Sequence, residues 1–325
     1  MSDPLAIVLL LIVAGAIGIP ILVYLALGAG EGMLSLMPVR AGQRLRPWVW
    51  LLLPIALAAT ILIFPVIVTL GTSLMDARAA SYIGFENYAW AFSGSMLGIV
   101  QNNIIWLIAF PIITVVLALA AATLFDKVKY EPLAMTIVLL PTAISFTAGS
   151  VIWTQMYSFQ PAGTPQIGTF NAFLGLFGMR PVPWLIQPVV NNLSLIFIAV
   201  WLQLGIATLI LSSAIKNVGT EMIEAARLDG AGEWRVFFSI VLPNILPSVL
   251  VVLTTMIIAA LKVFDIVYVM TNGNFGTDVI ANRLYYELFA ASNLGHASAI
   301  AVILLFSALP IAFINIFQFR SEARS

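Results

Sequence analysis

The run KNVGTEMIEAARLDGAGEWRVFFSIVLPNILP, residues 216–247, separates two long apolar stretches and is far more densely charged than either. Thr220 is a residue type that caps helices, Glu221 follows it in the first turn, and Met222, Ile223 and Ala226 recur at helical spacing on one face. Glu224 and Arg227 fall nearer the opposite side. The turn dipeptide Asp229-Gly230 should end this helix after about two turns, too short to stand alone in water. Such a helix has to dock onto something. A second short helix is expected from Glu233 to about Val241, with Pro243 and Pro247 setting the entry into the next apolar stretch.

Outward from this run the chain has the composition of a membrane protein. Of its 325 residues 62% are hydrophobic and 9% charged, against roughly 45–50% and about 25% in soluble domains. So few charges cannot solvate a globular surface. A spanning helix needs about 20 mostly apolar residues, and seven segments qualify: Leu5–Leu27, Trp48–Leu74, Ile99–Phe125, Leu133–Met156, Val189–Ile215, Ile245–Tyr268 and Ala297–Phe319. Prolines 65, 111, 141 and 310 lie inside them and predict kinks that neighbouring helices would have to satisfy. The first segment reads as a retained helix rather than a signal peptide, because Asp3 and no basic residue precedes it and the apolar run is long.

The basic residues orient the spans. Arg40, Arg44, Arg46, Lys127, Lys129, Lys216, Arg227, Arg235, Arg320 and Arg324 fall on one side, Arg78, Arg180 and Arg283 on the other, and Lys262 within a span. The positive-inside rule then predicts an outside N-terminus and a cytosolic C-terminus. Two outside connections are long, Met75–Gly98 and Tyr157–Pro188, whereas Asp126–Pro132 is a tight inside hairpin. Net charge is zero, which leaves no basic patch for a nucleic acid. With no cysteine and one histidine, Cys/His metal centres are excluded.

The charged run also has a recognisable spacing. Glu224-Ala225-Ala226, three residues, Gly230, nine residues, Ile240, one residue and Leu242-Pro243 resemble the EAA-x3-G-x9-I-x-L-P signature of permease subunits in binding-protein-dependent ABC importers. Gly84-Phe85-Glu86-Asn87-Tyr88 looks like the G-x-x-N-Y element of carbohydrate permeases, and Pro181-Val182-Pro183-Trp184-Leu185 like their P-x-x-W-L element. Lys262-Val263-Phe264-Asp265, followed by Tyr268 to Gly273, is similar to the sugar family's K-V-F-D…Y-V-x-T-x-G run. Ala143-Ile144-Ser145-Phe146 with Ser150-Val151-Ile152-Trp153 most resembles the α-glucoside branch. One departure is Gly219, where the family usually has proline ahead of the short helix.

The resemblance implies an all-α MetI-like permease fold of six core spans over residues 48–325, preceded by an extra N-terminal span and linker over 1–47. Thr220–Leu228 would be the coupling helix that sits in a cleft on a cytosolic ATPase, with Glu224, Ala225, Ala226 and Gly230 as its ATPase-coupling residues. The implied location is the cell (inner) membrane of a bacterium or archaeon. The implied partners are a cytosolic ABC ATPase dimer, a second permease, an extracytoplasmic sugar-binding protein and membrane lipid. The implied activity is ATP-driven import of oligosaccharides, α-glucosides of the maltose, trehalose or sucrose class, by alternating access. ATP and magnesium would be bound by the partner and no cofactor by this chain.

A P-loop needs Gly-Lys-Ser/Thr, and the four lysines follow Asp126, Val128, Ile215 and Leu261. The chain is therefore expected not to be an enzyme. The rival class is an ion-gradient carrier, since Lys262 and Asp265 stand at i,i+3 inside the expected sixth span, where ionisable residues are costly. A mutually neutralising pair is the simpler reading of those two. A membrane enzyme would need partners for His296, and with Asn293 and Ser298 nearby it reads as a solvated loop histidine. For the substrate path, spans five and six offer Trp201, Gln203, Thr254, Thr255, Lys262 and Asp265, chosen by depth in the membrane. Packing for the tryptophan and interhelical bonding for the glutamine and threonines are the plainer alternatives.

Overall fold

A computed structural model describes residues 17–18, 21, 23–25 and 27–322. Most of the expected first span, residues 5–27, lies outside the described residues. Those described are helical throughout, apart from turns and a single β-bridge between Met75 and Tyr82. The long helices are α1 (Val39–Thr72), α3 (Met96–Phe125), α7 (Val190–Lys216), α9 (Glu233–Leu261) and α12 (Leu294–Glu322). Between them come α2 (Glu86–Ala91), α4 (Glu131–Leu139), α5 (Phe146–Met156), α6 (Thr169–Leu176), α8 (Thr220–Leu228), α10 (Asp265–Met270) and α11 (Ile280–Tyr285).

The chain divides into two units, Met1–Thr69 and Leu70–Ser325. In the first, a turn at residues 36–38 folds the preceding helix back on the start of α1. Glu31 accepts hydrogen bonds from Arg46 Nε at 2.9 Å and Trp50 Nε1 at 2.6 Å. A Cβ on Gly30 would lie 2.4 Å from Val49 Cγ1, so glycine is what lets the two arms meet.

The second unit is built around α7. Its residues are buried on almost every side, Leu195, Ile198, Ala207 and Leu211 completely. Against it lie α3, through Trp106, Phe110, Ala118 and Ala122, and α9, through Val252, Met256 and Ala260. In lipid there is no hydrophobic gain from pairing helices, so close packing has to come from small residues. Ala118, Ala122, Ala207 and Ala260 are fully buried at these contacts, and Gly205 brings α7 against the backbone of Val138 and Leu139. Two buried hydroxyls of the packed helices are satisfied within their own helix: Thr114 donates to the Phe110 carbonyl and Thr208 to that of Leu204, each at 2.7 Å.

Two expected spans are not continuous. Leu133–Met156 breaks after a 3-10 turn at Leu140–Ala143, and its halves meet at 101°. Pro141 lacks the amide needed to extend the first half, while Ile144 is extended and the Ser145 hydroxyl accepts from Ala148 N at 3.2 Å to start α5. Ile245–Tyr268 likewise ends its helix at Leu261 and restarts at Asp265. By contrast α3 remains one helix through Pro111. The short helix expected from Glu233 to about Val241 is no separate element, for a π-helical turn at Phe237–Val241 carries it into Leu242–Leu261. Pro243 falls at the start of the α-helical stretch after this turn, where a missing amide costs little.

Candidate functional site

The two helix breaks come together. α10 packs on α5, and Thr147 Oγ1 in the first turn of α5 donates to Asp265 Oδ1 at 3.1 Å. Non-helical backbone at membrane depth is tolerated where it is enclosed by protein or lines a cavity, and here it does line one. A cavity of about 150 Å³ is bounded by Phe146 from one break and by Lys262, Val263, Phe264 and Asp265 from the other. Trp106 and Phe110 of α3, Ala199 of α7 and Ala260 of α9 close its walls. The lining thus combines aromatic faces, small residues and two groups of opposite charge. Trp106 Nε1 is buried and has no hydrogen-bond partner among the described residues. An indole N–H left in that state is a donor in want of an acceptor.

Of the path residues expected from membrane depth, Lys262 and Asp265 line this cavity. They are not one turn apart on a helix, because Lys262 caps the end of α9 while Asp265 opens α10, and no ion pair joins them among the described residues. Trp201 stands edge-on to Trp153 at 5.5 Å in an aromatic cluster. Thr254 and Thr255 bond to carbonyls of their own helix, and Gln203 is half-buried on α7. Trp106, Phe110, Phe146 and Phe264 were not among the residues expected from sequence. Trp106 and Phe110 share one face of α3 at i,i+4, a spacing that equally marks ordinary core.

The charged connection forms α8 over Thr220–Leu228. Gly219 is its N-cap, with no side chain capping it, so Thr220 is the first helical residue rather than the cap. Ile223 and Ala226 pack toward the core, whereas Met222, expected on the same face, is 46% exposed. Glu224 and Ala225 are exposed. Gly230 adopts φ +81°, and the Ala231 amide returns to the Ala226 carbonyl at 3.0 Å, a left-handed helix stop. A two-turn helix therefore stands on an apolar foot and leaves its Glu224-Ala225 side free.

Residues 89–324 match the family described as the binding-protein-dependent transport system inner membrane component. The chain belongs to this family. It is 46% identical to the osmoprotective compounds uptake permease protein GgtC of Synechocystis sp. over 81% of this chain and 95% of that protein. It is 37% identical to the alpha-glucoside transport system permease protein AglF of Rhizobium meliloti, over 86% and 83% respectively. Its fold matches a bacterial ABC transporter involved in import of the acidic polysaccharide alginate, with TM-score 0.70 and 22% identity over 88% of this chain and 98% of that one. The chain is thus an ABC importer permease, a multi-pass inner-membrane subunit, and the MetI-like fold is as expected. The ion-gradient reading is not favoured by these relationships, and the broken helix removes the i,i+3 pair that suggested it.

In this permease the remaining motifs serve as anchors for the long connections. Asn87 is buried and donates to the carbonyls of Ser73 at 2.8 Å and Met75 at 2.7 Å, while Tyr88 and Ser73 share a hydroxyl bond of 2.7 Å. Asp76 accepts from the amide of Ala80 at 2.7 Å and from that of Arg78, which holds its carboxyl below the usual range. In the second connection the Asn171 side chain binds Val182 through both backbone groups, and the Trp184 indole donates to it at 3.2 Å. Burial among Trp153, Phe170 and Trp184 pushes the Tyr157 hydroxyl above its ordinary value, so it remains a donor, to the Ser194 carbonyl. His296 is not a solvated loop residue. It sits in the first turn of α12 with Nδ1 3.1 Å from the buried carboxylate of Glu287, which also takes Arg283 at 2.8 Å.

Proposed function

We propose that this permease is one of two membrane subunits of an ATP-driven importer of α-glucosides of the maltose, trehalose or sucrose class. The observation that carries the reading is the cavity at the paired helix breaks. Discontinuous helices are where membrane transporters put their substrate sites, since freed backbone groups and helix ends are available there. Aromatic faces stack on sugar rings, and the unpartnered Trp106 N–H, Lys262 and Asp265 can exchange hydrogen bonds with hydroxyls. At about 150 Å³ the cavity is smaller than the roughly 300–1,000 Å³ of typical ligand pockets. The second permease therefore supplies the facing wall, and the site enlarges as the spans exchange inward and outward openings.

The basic end faces the cytosol, where α8 docks on an ABC ATPase through Glu224, Ala225, Ala226 and the Gly230 turn. ATP and magnesium act on that partner. An extracytoplasmic binding protein delivers the sugar to the connections at residues 75–98 and 157–188. The kinship to AglF favours glucosides, and the kinship to GgtC keeps osmoprotective compounds in view.

The test is to purify the tagged chain from its native membrane, identify its stoichiometric partners by mass spectrometry, and reconstitute the complex with its binding protein in vesicles. ATP-dependent uptake of labelled maltose, trehalose or sucrose, lost in Ala260→Trp, is the expected result. Uptake of glycine betaine with no uptake or competition by any glucoside would overturn the sugar assignment. Recovery of the chain without an ATPase would overturn the importer.

A further inference from the structure

Three basic and two acidic side chains gather at the basic end of the second unit, on four separate segments. Glu233, the first residue of α9, accepts from Lys127 Nζ at 2.7 Å. The same carboxylate takes both the Nε of Arg227 at 3.0 Å and its second nitrogen at 3.3 Å, a fork from the end of α8. Lys127 lies in the hairpin that follows α3, and the other end of that hairpin, Glu131, pairs with Lys216 at the end of α7. Glu233 is thus the one carboxylate here that touches both the α3 hairpin and α8.

Where α3 and α9 lead gives this contact its meaning. α3 is unbroken from Phe125 back to Phe110 and Trp106 in the cavity wall. At 1.5 Å per residue that is about 22–29 Å of rigid helix. α9 runs from Glu233 to Leu261, directly before Lys262 and Val263 of the same lining. One carboxylate therefore joins the near ends of the two helices whose far ends enclose the cavity. α8 itself rests on the first turns of α9, through Ile223 and Ala226, so a force applied to α8 reaches α9 directly. Its side-chain route to α3 is Arg227, Glu233 and Lys127.

We propose that Glu233 is a positioning residue for transport: it ties α3 to α9 so that displacement of α8 moves both cavity walls together. The inference rests on α8 being the ATPase-coupling helix. Exposed ion pairs are individually weak, and the three groups of this one are about half exposed. Its role is therefore to fix the relative placement of the two helix ends, and not to hold the fold together.

The experiment uses the reconstituted complex and reads substrate imported per ATP hydrolysed. Glu233→Gln removes the charge that holds two cations and is expected to lower that ratio three- to tenfold, with assembly and ATP hydrolysis within twofold of wild type. Lys127→Met should do the same, and the double variant should be no worse than either alone. A merely structural role would lower assembly and hydrolysis in step and leave the ratio unmoved. Because the chain has no cysteine, Lys127→Cys with Glu233→Cys can be bridged by a flexible bismaleimide, and bridging should restore the ratio. A wild-type ratio in Glu233→Gln, or an assembled complex in which bridging abolishes import, would overturn the clasp while the importer stands. If no ATPase assembles with the wild-type chain, both fall.

Discussion

The imidazole of His296 lies flat on the indole of Trp90, with ring centroids 3.6 Å apart and planes 7° from parallel. This joins the first turn of α12 to α2. The same ring presents Nδ1 to Glu287, whose side chain is 5% exposed, and since a carboxylate only accepts, Nδ1 carries the proton. Replacing His296 by Ala removes the stack and one of two donors to a buried charge, and should destabilise by about 1–3 kcal/mol. Glu287→Ala should cost more, roughly 3–5 kcal/mol, because it leaves Arg283 unpaired and three-quarters buried. Thermal melting of the purified complex would show both shifts in that order; equal melting for all three proteins would refute the cluster.

Gly205 and Gly98 should respond in opposite ways to the same change. A Cβ at Gly205 would stand 2.5 Å from the Val138 carbonyl oxygen and 2.8 Å from Leu139 Cα, both backbone atoms that cannot rotate away. A Cβ at Gly98 meets nothing within 4 Å and gains helix propensity. Gly205→Ala is expected to lose most folded protein in detergent size-exclusion profiles, whereas Gly98→Ala should match or exceed wild type.

Asp278 lies outside the spans, where burial raises its carboxyl pKa despite hydrogen bonds from Asn282 and Val279. A carboxyl with a folded value above its unfolded one favours the fold fully below the unfolded pKa, and that advantage fades as pH rises through the folded one. Melting of the wild type should therefore fall across that interval. Asp278→Asn keeps the accepting oxygen and removes the charge, so it should melt higher at neutral pH and flatten this part of the profile. An unchanged profile would show that the carboxylate is better solvated than its surroundings imply.

At Gly230 the requirement is conformational. Its φ of +81° is costly for side-chain-bearing residues, by roughly 1–2 kcal/mol, yet a Cβ there would meet no atom of this chain within 4 Å. Gly230→Asn, which tolerates the left-handed region, should retain more ATP-coupled uptake than Gly230→Ala. If instead both fail equally in fully inserted protein, close approach of the ATPase rather than the turn is what demands glycine.

Much of α8 was legible: its extent, its stop at Asp229-Gly230 and its inward Ile223 and Ala226 followed from spacing and turn chemistry, whereas Thr220 is helical rather than the cap and Met222 turns outward. Lys262 and Asp265 could be singled out because charge at membrane depth is rare. Phe146 and Trp106 could not, since an aromatic residue in an apolar run looks the same whether it faces lipid, core or cavity. His296 misled for a related reason. Its partners Trp90 and Glu287 lie 206 and 9 positions away, and only the packing of α12 against α2 and α11 brings them together.

By itself the sequence determined that this chain lies in a membrane, where its long helices fall, and which connection is amphipathic and short enough to need a partner. Those properties depend on hydropathy and local spacing, which each segment carries alone. The tertiary structure decided where two of the spans break and that the breaks face each other across one cavity. An apolar run reports the solvent it prefers but not whether its helix continues. Continuity depends on whether neighbouring segments can satisfy the backbone groups that a break releases, and only the packed bundle contains those neighbours.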